Sequence, residues 1–298
     1  MIRGTFTALI TPFRAGDATQ IDESALRSLV EAQIAGGISG LVPCGTTGET
    51  PTLSEAEQDR VIAIVVEQAR GRVPVIAGTG GNDTSHVVSR TRRARDLGAD
   101  GALVVAPYYN KPTQEGLFRH FAHLAESVAL PIVLYNVPGR TGVNILPETI
   151  IRLAQIPGIV AVKEASGSLD ACSEIVASAP EGFAVLSGDD SLTLPIIAVG
   201  GQGVISVASN IVPEAMSALT TAALAGEFER ARDLHRRLLP LCRAMFLDNN
   251  PIAVKTAAGL LGICSGEVRL PLTPMSAGNL AILESVLAGW TGREALAA

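Results

Sequence analysis

The sequence predicts an α/β fold, a (β/α)8 (TIM) barrel, followed by a helical C-terminal extension. Short apolar runs rich in β-branched residues alternate with helical patterns, which is typical of parallel strands covered by helices. The runs recur at intervals of roughly 20 to 35 residues, as a repeated βα unit requires. After the eighth run, residues 213–290 show only helical periodicity. We therefore predict a barrel over residues 1–224 and an extension over residues 225–298 that covers a barrel face or a subunit contact.

The apolar runs define eight strands. The same alternation occurs in an open, doubly wound sheet, so periodicity alone leaves that alternative open. Eight strands without an evident reversal of order favour closure into a barrel. In chain order the predicted strands are Thr5–Leu9, Gly40–Val42, Val73–Ala77, Gly101–Val105, Ile132–Tyr135, Val160–Lys163, Ala184–Leu186 and Gly203–Val207.

Residues that start helices support this assignment. Ser54 and Glu57 fit a capping box, in which each side chain bonds the backbone of the other residue. Asp22 or Ser24 is placed to cap the preceding helix of the chain, which begins directly after these residues. Both helices follow predicted strands, as the barrel requires.

The composition is that of a compact enzyme-like globule, with 47% hydrophobic and 17% charged residues. The net charge of -6 comes from scattered acids, and no long basic run indicates nucleic-acid binding. The N-terminal residues lack a signal-peptide pattern, which predicts a cytoplasmic protein. The stretch Leu194–Val212 holds too many turn-forming residues for a membrane helix. Four scattered cysteines and four histidines show no metal-site spacing, so we expect free thiols and no metal.

Lys163 is the first candidate for chemistry, because it ends the sixth predicted strand. In such barrels the carboxyl ends of the strands carry the active site. Burial favours a neutral amine, which is the nucleophile of Schiff-base chemistry. The alternative is a lysine that reaches solvent or pairs with Glu164, although neighbours on a strand point to opposite faces.

Three further features lie at the same end of the predicted barrel. Tyr135 ends the preceding strand at similar depth, so its phenol can exchange protons with an intermediate at Lys163, or simply pack there. The segment Cys44–Glu49 follows the second strand, and its glycines let N–H groups and hydroxyls approach a carboxylate. Arg140, on the loop after Tyr135, can hold a carboxylate bidentately or lie on the surface.

Two other barrel chemistries fit less well. Phosphate-binding barrels use the loops after strands seven and eight, but the acids of Ser187–Asp190 repel phosphate and Ala208–Asn210 lacks glycine. A hydrolase with paired carboxylates can use Asp189 or Asp190. We expect these acids instead to cap the helix that starts near Ser191.

Seven ordered segments resemble the dihydrodipicolinate synthase family, over nearly the whole chain. Lysine and tyrosine at these positions are shared with a wider superfamily of pyruvate-dependent lyases and aldolases, including N-acetylneuraminate lyase and keto-deoxy sugar acid aldolases. Arg140 in Pro138–Gly142 distinguishes the synthase branch from these other enzymes, because it matches the pattern of the synthase branch. The segments are Gly4–Ala8, Gly45–Glu49, Ile76–Gly80, Ala106–Pro112, Tyr135–Gly142, Val162–Ala165 and Gly203–Val207.

The resemblance implies a reaction and a set of roles. Lys163 would form a Schiff base with pyruvate, whose enamine attacks L-aspartate-4-semialdehyde to give 4-hydroxy-tetrahydrodipicolinate for diaminopimelate and lysine synthesis. Tyr135 would relay protons with Thr46 and with Tyr109 from a neighbouring subunit. The residues implied to bind the substrates are Thr47, at the keto-acid carboxylate, Arg140, at the carboxylate of the semialdehyde, Gly188 and Ile205.

The resemblance also implies that no metal or organic cofactor is needed, and that the chain assembles as a homotetramer, a dimer of dimers. Two alternatives remain. One is another Schiff-base pyruvate lyase or aldolase, and the other is a non-catalytic barrel that binds a keto acid.

One departure from the family pattern concerns control by lysine. Some bacterial members bind lysine at the dimer interface, and only Asn82 and Tyr108 match that site here. Glu55 and Gln58 stand where those enzymes carry histidines, and His86 replaces their acid. We therefore predict weak sensitivity to lysine. The corresponding positions are Thr50, Pro51, Glu55, Gln58, Asn82, His86 and Tyr108.

Overall fold

A computed structural model describes residues 2–294 of the chain. In chain order its strands are β1 Gly4–Ala8, β2 Phe13–Arg14, β3 Asp17–Ile21, β4 Gly40–Val42, β5 Ile76–Gly78, β6 Gly101–Val105, β7 Ile132–Asn136, β8 Ile159–Glu164, β9 Ala184–Ser187 and β10 Gly203–Ser206. Its helices are α1 Glu23–Ala35, α2 Glu55–Ala69, α3 Thr84–Asp96, α4 Gln114–Ser127, α5 Pro138–Thr141, α6 Pro147–Ala154, α7 Leu169–Ser178, α8 Thr193–Ala198, α9 Pro213–Leu224, α10 Phe228–Ala244, α11 Ile252–Leu260 and α12 Ala277–Glu294.

Within the described range, eight strands form one parallel sheet in the order β4-β1-β10-β9-β8-β7-β6-β5. A parallel bridge between Leu41 in β4 and Val75, just before β5, joins the two ends of this sheet. The sheet is therefore a closed barrel, as predicted, and the open doubly wound alternative is excluded.

All eight predicted strands occur, seven of them with ends within one residue of the prediction. The exception is the third barrel strand, β5, which begins three residues later than Val73. Pro74 explains the shift, because proline has no N–H to donate to a ladder. Its carbonyl still accepts a hydrogen bond from Leu41 N at 2.9 Å.

The antiparallel hairpin of β2 and β3 was not predicted. Its turn contains Gly16 in the left-handed region, with φ 74°, where glycine carries no steric penalty. Such a short hairpin leaves little periodicity in the sequence. The hairpin contacts the segment between α11 and α12, since Arg269 donates to the carbonyl groups of Ala18 and Thr19 at 2.7 and 2.8 Å.

Side chains along the barrel strands alternate between the interior and the helical layer. On β8, Ala161 belongs to the interior cluster of buried side chains, whereas Val162 packs against the surrounding helices. Lys163, two residues after Ala161, therefore points into the barrel. The alternation places one amine inside a wall that is otherwise apolar.

The predicted caps of the first two helices are present. Asp22 caps α1 by accepting from Ala25 N at 3.0 Å. Ser54 and Glu57 form both bonds of the capping box at α2. Each such cap stabilises its helix by about 1 kcal/mol.

The prediction that Asp189 or Asp190 caps the following helix is wrong. Neither carboxylate bonds the start of the short 3-10 turn at Asp190 or of α8, within the described residues. Asp190 Oδ2 instead accepts from Val207 N and Ala208 N, at 3.1 and 3.0 Å. Because β9 and β10 are neighbours in the barrel, the end of β10 lies within reach of this carboxylate.

A helical C-terminal segment is present. Helix α10 packs against α9 and α12, and α12 also contacts α11. The predicted border near Ala225 falls in the turn between α9 and α10, and the division into barrel and extension there stays a prediction. Among residues 2–294, no helix is both long enough and apolar enough to cross a membrane.

Candidate active site

Lys163 and Tyr135 lie side by side at the carboxyl ends of β8 and β7. They are direct partners in the strand register, and both are buried, with 5% and 7% of their surfaces exposed. Lys163 Nζ lies 4.3 Å from the centre of the Tyr135 ring, a distance typical of a cation–π contact. Lys163 forms no ion pair with any described residue. The amine therefore faces a phenol ring and has no carboxylate within ion-pair distance among the described residues.

Glu164 does not pair with Lys163. It points to the opposite face of β8, where Asn136 Nδ2 and Ser166 N donate to its carboxylate at 2.9 and 2.7 Å. Burial raises the pKa of Glu164, against the effect of these hydrogen bonds. The carboxylate of Glu164 is thus hydrogen-bonded to the end of β7 and to the loop after β8.

The segment after β4 forms a tight turn that presents two threonines. Thr46–Gly48 is a 3-10 turn, and Glu49 leaves it in the left-handed conformation with φ 56°. Thr50 Oγ1 closes the turn by donating to the carbonyl groups of Cys44 and Gly45. Thr47 is buried and Thr46 is partly exposed. We call Cys44–Thr50 the threonine loop.

A cleft of about 270 Å³ opens at this end of the barrel. Three of the predicted site residues, Thr46, Tyr135 and Arg140, line it. Lys163 lies beside the Tyr135 ring without forming the cleft wall. The lining residues are Cys44, Gly45, Thr46, Thr50, Pro51, Gly78, Gly80, Arg90, Leu103, Val105, Tyr108, Tyr135, Val137, Arg140 and Thr141.

Arg140 lies on the short helix α5 and is exposed. Its Nη2 donates to the backbone carbonyl of Asn250 at 3.4 Å. The guanidinium pairs with no carboxylate in the part of the chain that the structure describes. Its other N–H groups are therefore free to bind an anion bidentately in the cleft.

Gly188 and Ile205 lie deeper, at the ends of β9 and β10. Ile205 is fully buried in the interior cluster that includes Tyr135. Gly188 N donates to Glu164 O at 2.7 Å. A Cβ at Gly188 would lie 2.4 Å from Ala165 Cβ, so only glycine allows the segments after β8 and β9 to approach this closely. Neither residue lines the cleft.

Tyr109 is not brought into the cleft of its own chain. Its side chain is 89% exposed, and its backbone is left-handed with φ 71°, which is uncommon for a bulky residue. The neighbouring Tyr108 lines the cleft. The backbone at Tyr109 therefore turns its ring away from the barrel.

Sequence reasoning missed two residues at this site. Asn250, buried before α11, donates from Nδ2 to Thr47 Oγ1 at 3.0 Å. Arg90 of α3 lines the cleft and donates to Gly80 O at 3.3 Å. Asn250 lies beside Pro251, which the sequence pattern marks only as a helix break, so no local signal pointed to a site.

No group of three or more histidine, cysteine, aspartate or glutamate residues among residues 2–294 could hold a metal ion. His120 Nδ1 is hydrogen-bonded to Thr84 Oγ1 at 2.9 Å. Burial raises the pKa of Asp189, an effect opposed by the charge of Lys163. The cleft presents a phenol, hydroxyls and guanidinium groups, and the amine of Lys163 lies beside the phenol ring.

A closed (β/α)8 barrel with a buried amine beside a phenol at the carboxyl ends of its strands has the features of a Schiff-base lyase. The chain belongs to the dihydrodipicolinate synthetase family, whose sequence pattern matches residues 1–288.

Individual relatives agree with this membership. The 4-hydroxy-tetrahydrodipicolinate synthase of Thermomicrobium roseum is 59% identical over 288 residues, 97% of this chain and 94% of the relative. The structure of the 4-hydroxy-tetrahydrodipicolinate synthase from Methylacidiphilum fumariolicum superposes with a TM-score of 0.96 at 47% identity, over 99% of this chain and 98% of that one. For the crystal structure of dihydrodipicolinate synthase from Aquifex aeolicus, the TM-score is 0.94 at 49% identity, with 97% and 98% covered.

Proposed function

We propose that this chain condenses pyruvate with L-aspartate-4-semialdehyde to form 4-hydroxy-tetrahydrodipicolinate, the entry to diaminopimelate and lysine synthesis in the cytoplasm. The observation that carries the proposal is the amine of Lys163, buried inside the barrel against Tyr135 and without an ion-pair partner among described residues. An amine beside a phenol at the carboxyl end of a barrel strand can attack a carbonyl group.

The first half of the reaction activates pyruvate. Lys163 Nζ attacks the keto carbon, and the carbinolamine loses water to give an iminium. The iminium draws electrons from the neighbouring methyl group, which loses a proton and leaves an enamine. The hydroxyl of Tyr135, whose ring lies against the amine, moves these protons together with Thr46. No metal or organic cofactor is required, because the iminium itself accepts the electrons.

The second half joins the two substrates. The enamine carbon attacks the aldehyde carbon, forming the C–C bond, and the aldehyde oxygen takes up a proton to become a hydroxyl. The amino group of the semialdehyde then attacks the imine carbon and displaces Lys163 Nζ. The ring closes and the amine is regenerated, so atoms and protons balance.

Two anchors hold the substrate carboxylates in this proposal. Thr47, buried in the threonine loop, binds the carboxylate of pyruvate, and Arg140, which lines the cleft, binds that of the semialdehyde. Gly188 and Ile205 shape the interior side. The free guanidinium of Arg140 and the buried hydroxyl of Thr47 support these assignments.

Tyr109 is proposed to act in the cleft of a neighbouring subunit within a homotetramer. Its exposure and left-handed backbone support a residue directed away from its own barrel. Light scattering measures the assembly, and Tyr109→Phe should lower turnover while leaving the assembly intact. A monomer with full activity would contradict this part of the proposal.

The sequence allows a clean test of the nucleophile, because it contains three lysines, Lys111, Lys163 and Lys255. Borohydride reduction with pyruvate, followed by mass spectrometry, should place one adduct on Lys163. Lys163→Ala should abolish it, and Lys111→Ala, at an exposed position, should not. No adduct would contradict the Schiff-base mechanism and favour a keto-acid-binding barrel, whereas an adduct on another lysine would contradict the role of Lys163.

The second substrate is tested by comparing L-aspartate-4-semialdehyde with N-acetylneuraminate and keto-deoxy sugar acids in a coupled assay. Of these compounds, only L-aspartate-4-semialdehyde is expected to be turned over, together with pyruvate. Arg140→Ala should weaken use of the semialdehyde by about tenfold or more, since a charge-assisted contact is lost. Trapping of pyruvate should change little, and an equal loss in both would mean that Arg140 is structural.

A further inference from the structure

Asn250, in the connection between α10 and α11, joins the two proposed carboxylate anchors. The residue is 7% exposed. Its Nδ2 donates to Thr47 Oγ1 at 3.0 Å, and its backbone carbonyl accepts from Arg140 Nη2 at 3.4 Å. One residue of the C-terminal segment thus contacts both the threonine loop and Arg140, which lines the cleft.

The hydrogen bond to Thr47 has a chemical direction. A hydroxyl has one proton to donate and two lone pairs that accept. The Asn250 N–H occupies a lone pair of Thr47 Oγ1, so the Thr47 proton remains available. Within residues 2–294 this proton has no acceptor, which leaves it for a substrate carboxylate.

The other atom of the Asn250 amide is equally informative. Asn250 Oδ1 is buried and finds no hydrogen-bond partner in the described part of the chain. Native structures leave few buried acceptors unpaired, and those that remain often mark a ligand or water position. The Asn250 amide thus has an acceptor that protein packing leaves unused, next to the hydroxyl of Thr47.

The threonine loop is also held from its far end, so it cannot easily move to replace the contact with Asn250. Glu49 Oε1 lies 2.6 Å from Lys255 Nζ, both fully buried. Glu49 Oε2 accepts from Arg269 N at 2.9 Å. These bonds fix the backbone of the loop, and Asn250 acts on the hydroxyl that the loop presents.

We infer that Asn250 is a positioning residue, which keeps the Thr47 hydroxyl as a hydrogen-bond donor toward the carboxylate of pyruvate. The inference rests on the proposed function and names a residue from outside the strands that carry the amine. Asn250 acts through Thr47 and not on the reacting atoms. Its loss therefore affects pyruvate affinity and leaves the chemistry of Lys163 intact.

The test is borohydride trapping at increasing pyruvate concentration in the full-length protein. Asn250→Ala should raise the half-saturating pyruvate concentration about tenfold, as expected for a bond to a charged group. At saturating pyruvate the adduct should still form on Lys163. Thr47→Val should show a similar rise, and the double variant should be no worse than Thr47→Val alone, because one interaction is lost once. Independent, multiplying effects would overturn the inference.

Asn250→Asp separates positioning from a structural role, since it keeps the shape of the side chain. Its carboxylate would accept the Thr47 proton and turn the donor away from pyruvate. We expect a larger rise in half-saturation than for Asn250→Ala at neutral pH, relieved as the pH falls and the carboxyl takes up a proton. The inference would be contradicted if the half-saturating pyruvate concentration of Asn250→Asp, divided by that of the unaltered protein, did not change with pH.

Asn279→Ala is the matched control. Asn279 donates from Nδ2 to Leu247 O and Asp248 Oδ1, both at 3.0 Å, so it supports the connection that carries Asn250 but forms no hydrogen bond with the threonine loop among the described residues. The half-saturating pyruvate concentration of Asn279→Ala should equal that of the unaltered protein. No adduct in the unaltered protein would overturn the proposed function and this inference together, whereas normal half-saturation in folded Asn250→Ala would overturn the inference alone.

Discussion

Lys163 and Lys255 are both buried against an aromatic ring, yet their surroundings differ. Lys255 Nζ lies 3.9 Å from the centre of the Phe13 ring and 2.6 Å from Glu49 Oε1. Burial lowers the pKa of Lys255, and Glu49 opposes that shift. Lys163 has the ring of Tyr135 but no carboxylate within ion-pair distance among described residues. A fixed carboxylate makes a buried ammonium structural, and its absence leaves the amine free to react.

The largest effect that tests this comparison is the loss of activity in Lys163→Met. We expect condensation to fall by at least about a thousandfold, because no other group can form the imine. The free energy of unfolding should stay the same or rise, since an unpaired buried amine is replaced by an apolar side chain. Steady-state assays and urea unfolding measure the two. A clear loss of stability would show that Lys163 has a structural partner.

The reverse outcome is expected for Lys255→Met. Removing the ammonium leaves Glu49 buried and unpaired, which should cost about 3–5 kcal/mol in the free energy of unfolding. Pyruvate should still be trapped on Lys163, at higher half-saturation. In the double variant Glu49→Gln and Lys255→Met, much of the stability should return. If the single variant unfolds like the unaltered protein, the ion pair does not hold the threonine loop.

His120 adds a third buried basic group, one kept neutral instead of paired. Burial lowers its pKa from 6.5 to about 4, with a smaller contribution from His123. The unfolded chain therefore binds the proton more readily between these values. The contribution of His120 to the free energy of unfolding is complete above about pH 6.5. It decreases by about 3 kcal/mol as the pH falls toward 4.

The measurement is urea unfolding as a function of pH, with His120→Gln compared against His86→Gln. His120→Gln should flatten the fall in stability across that window. His86, whose side chain is 78% exposed, serves as the control and should leave the profile unchanged. Identical profiles for all three proteins would mean that His120 is charged in the folded state.

The smallest expected effect is inhibition by free lysine. Gln58 Nε2 is occupied by Thr50 O and Leu53 O, at 3.3 and 2.9 Å, and Glu55 is paired with Arg93 at 2.7 Å. Neither side chain is free to receive a lysine ligand. Inhibition at millimolar lysine should stay below the roughly fivefold coupling typical of allosteric control. Strong inhibition at low micromolar lysine, in the coupled assay, would contradict the prediction.

Local sequence patterns were sufficient to predict the eight barrel strands and the neighbouring positions of Lys163 and Tyr135. Lys163 and Tyr135 end adjacent predicted strands at similar depth, and parallel register alone brings them together. The caps at Asp22 and Ser54 were readable because their partners lie within three residues. In each case the sequence distance between partners is short, or the barrel topology fixes it.

Contacts between distant parts of the chain could not be read in this way. Asn250 meets Thr47 across 203 positions, and Lys255 meets Glu49 across 206. Asp190 looked like a local helix cap, but its carboxylate bonds the end of β10. Nothing near these residues in the sequence encodes the partner, because packing of the whole barrel decides which groups meet.

The spacing of these contacts also sets an order during synthesis on the ribosome. The chain emerges from its N-terminus, so Thr47 and Glu49 leave the ribosome about 200 residues before Asn250, Lys255 and Arg269. A nascent chain that ends before residue 250 already contains Lys163 and Tyr135, but its threonine loop still lacks the bonds from Asn250, Lys255 and Arg269. Translation of residues 250–269 therefore completes the proposed substrate site, whose proposed nucleophile was made much earlier.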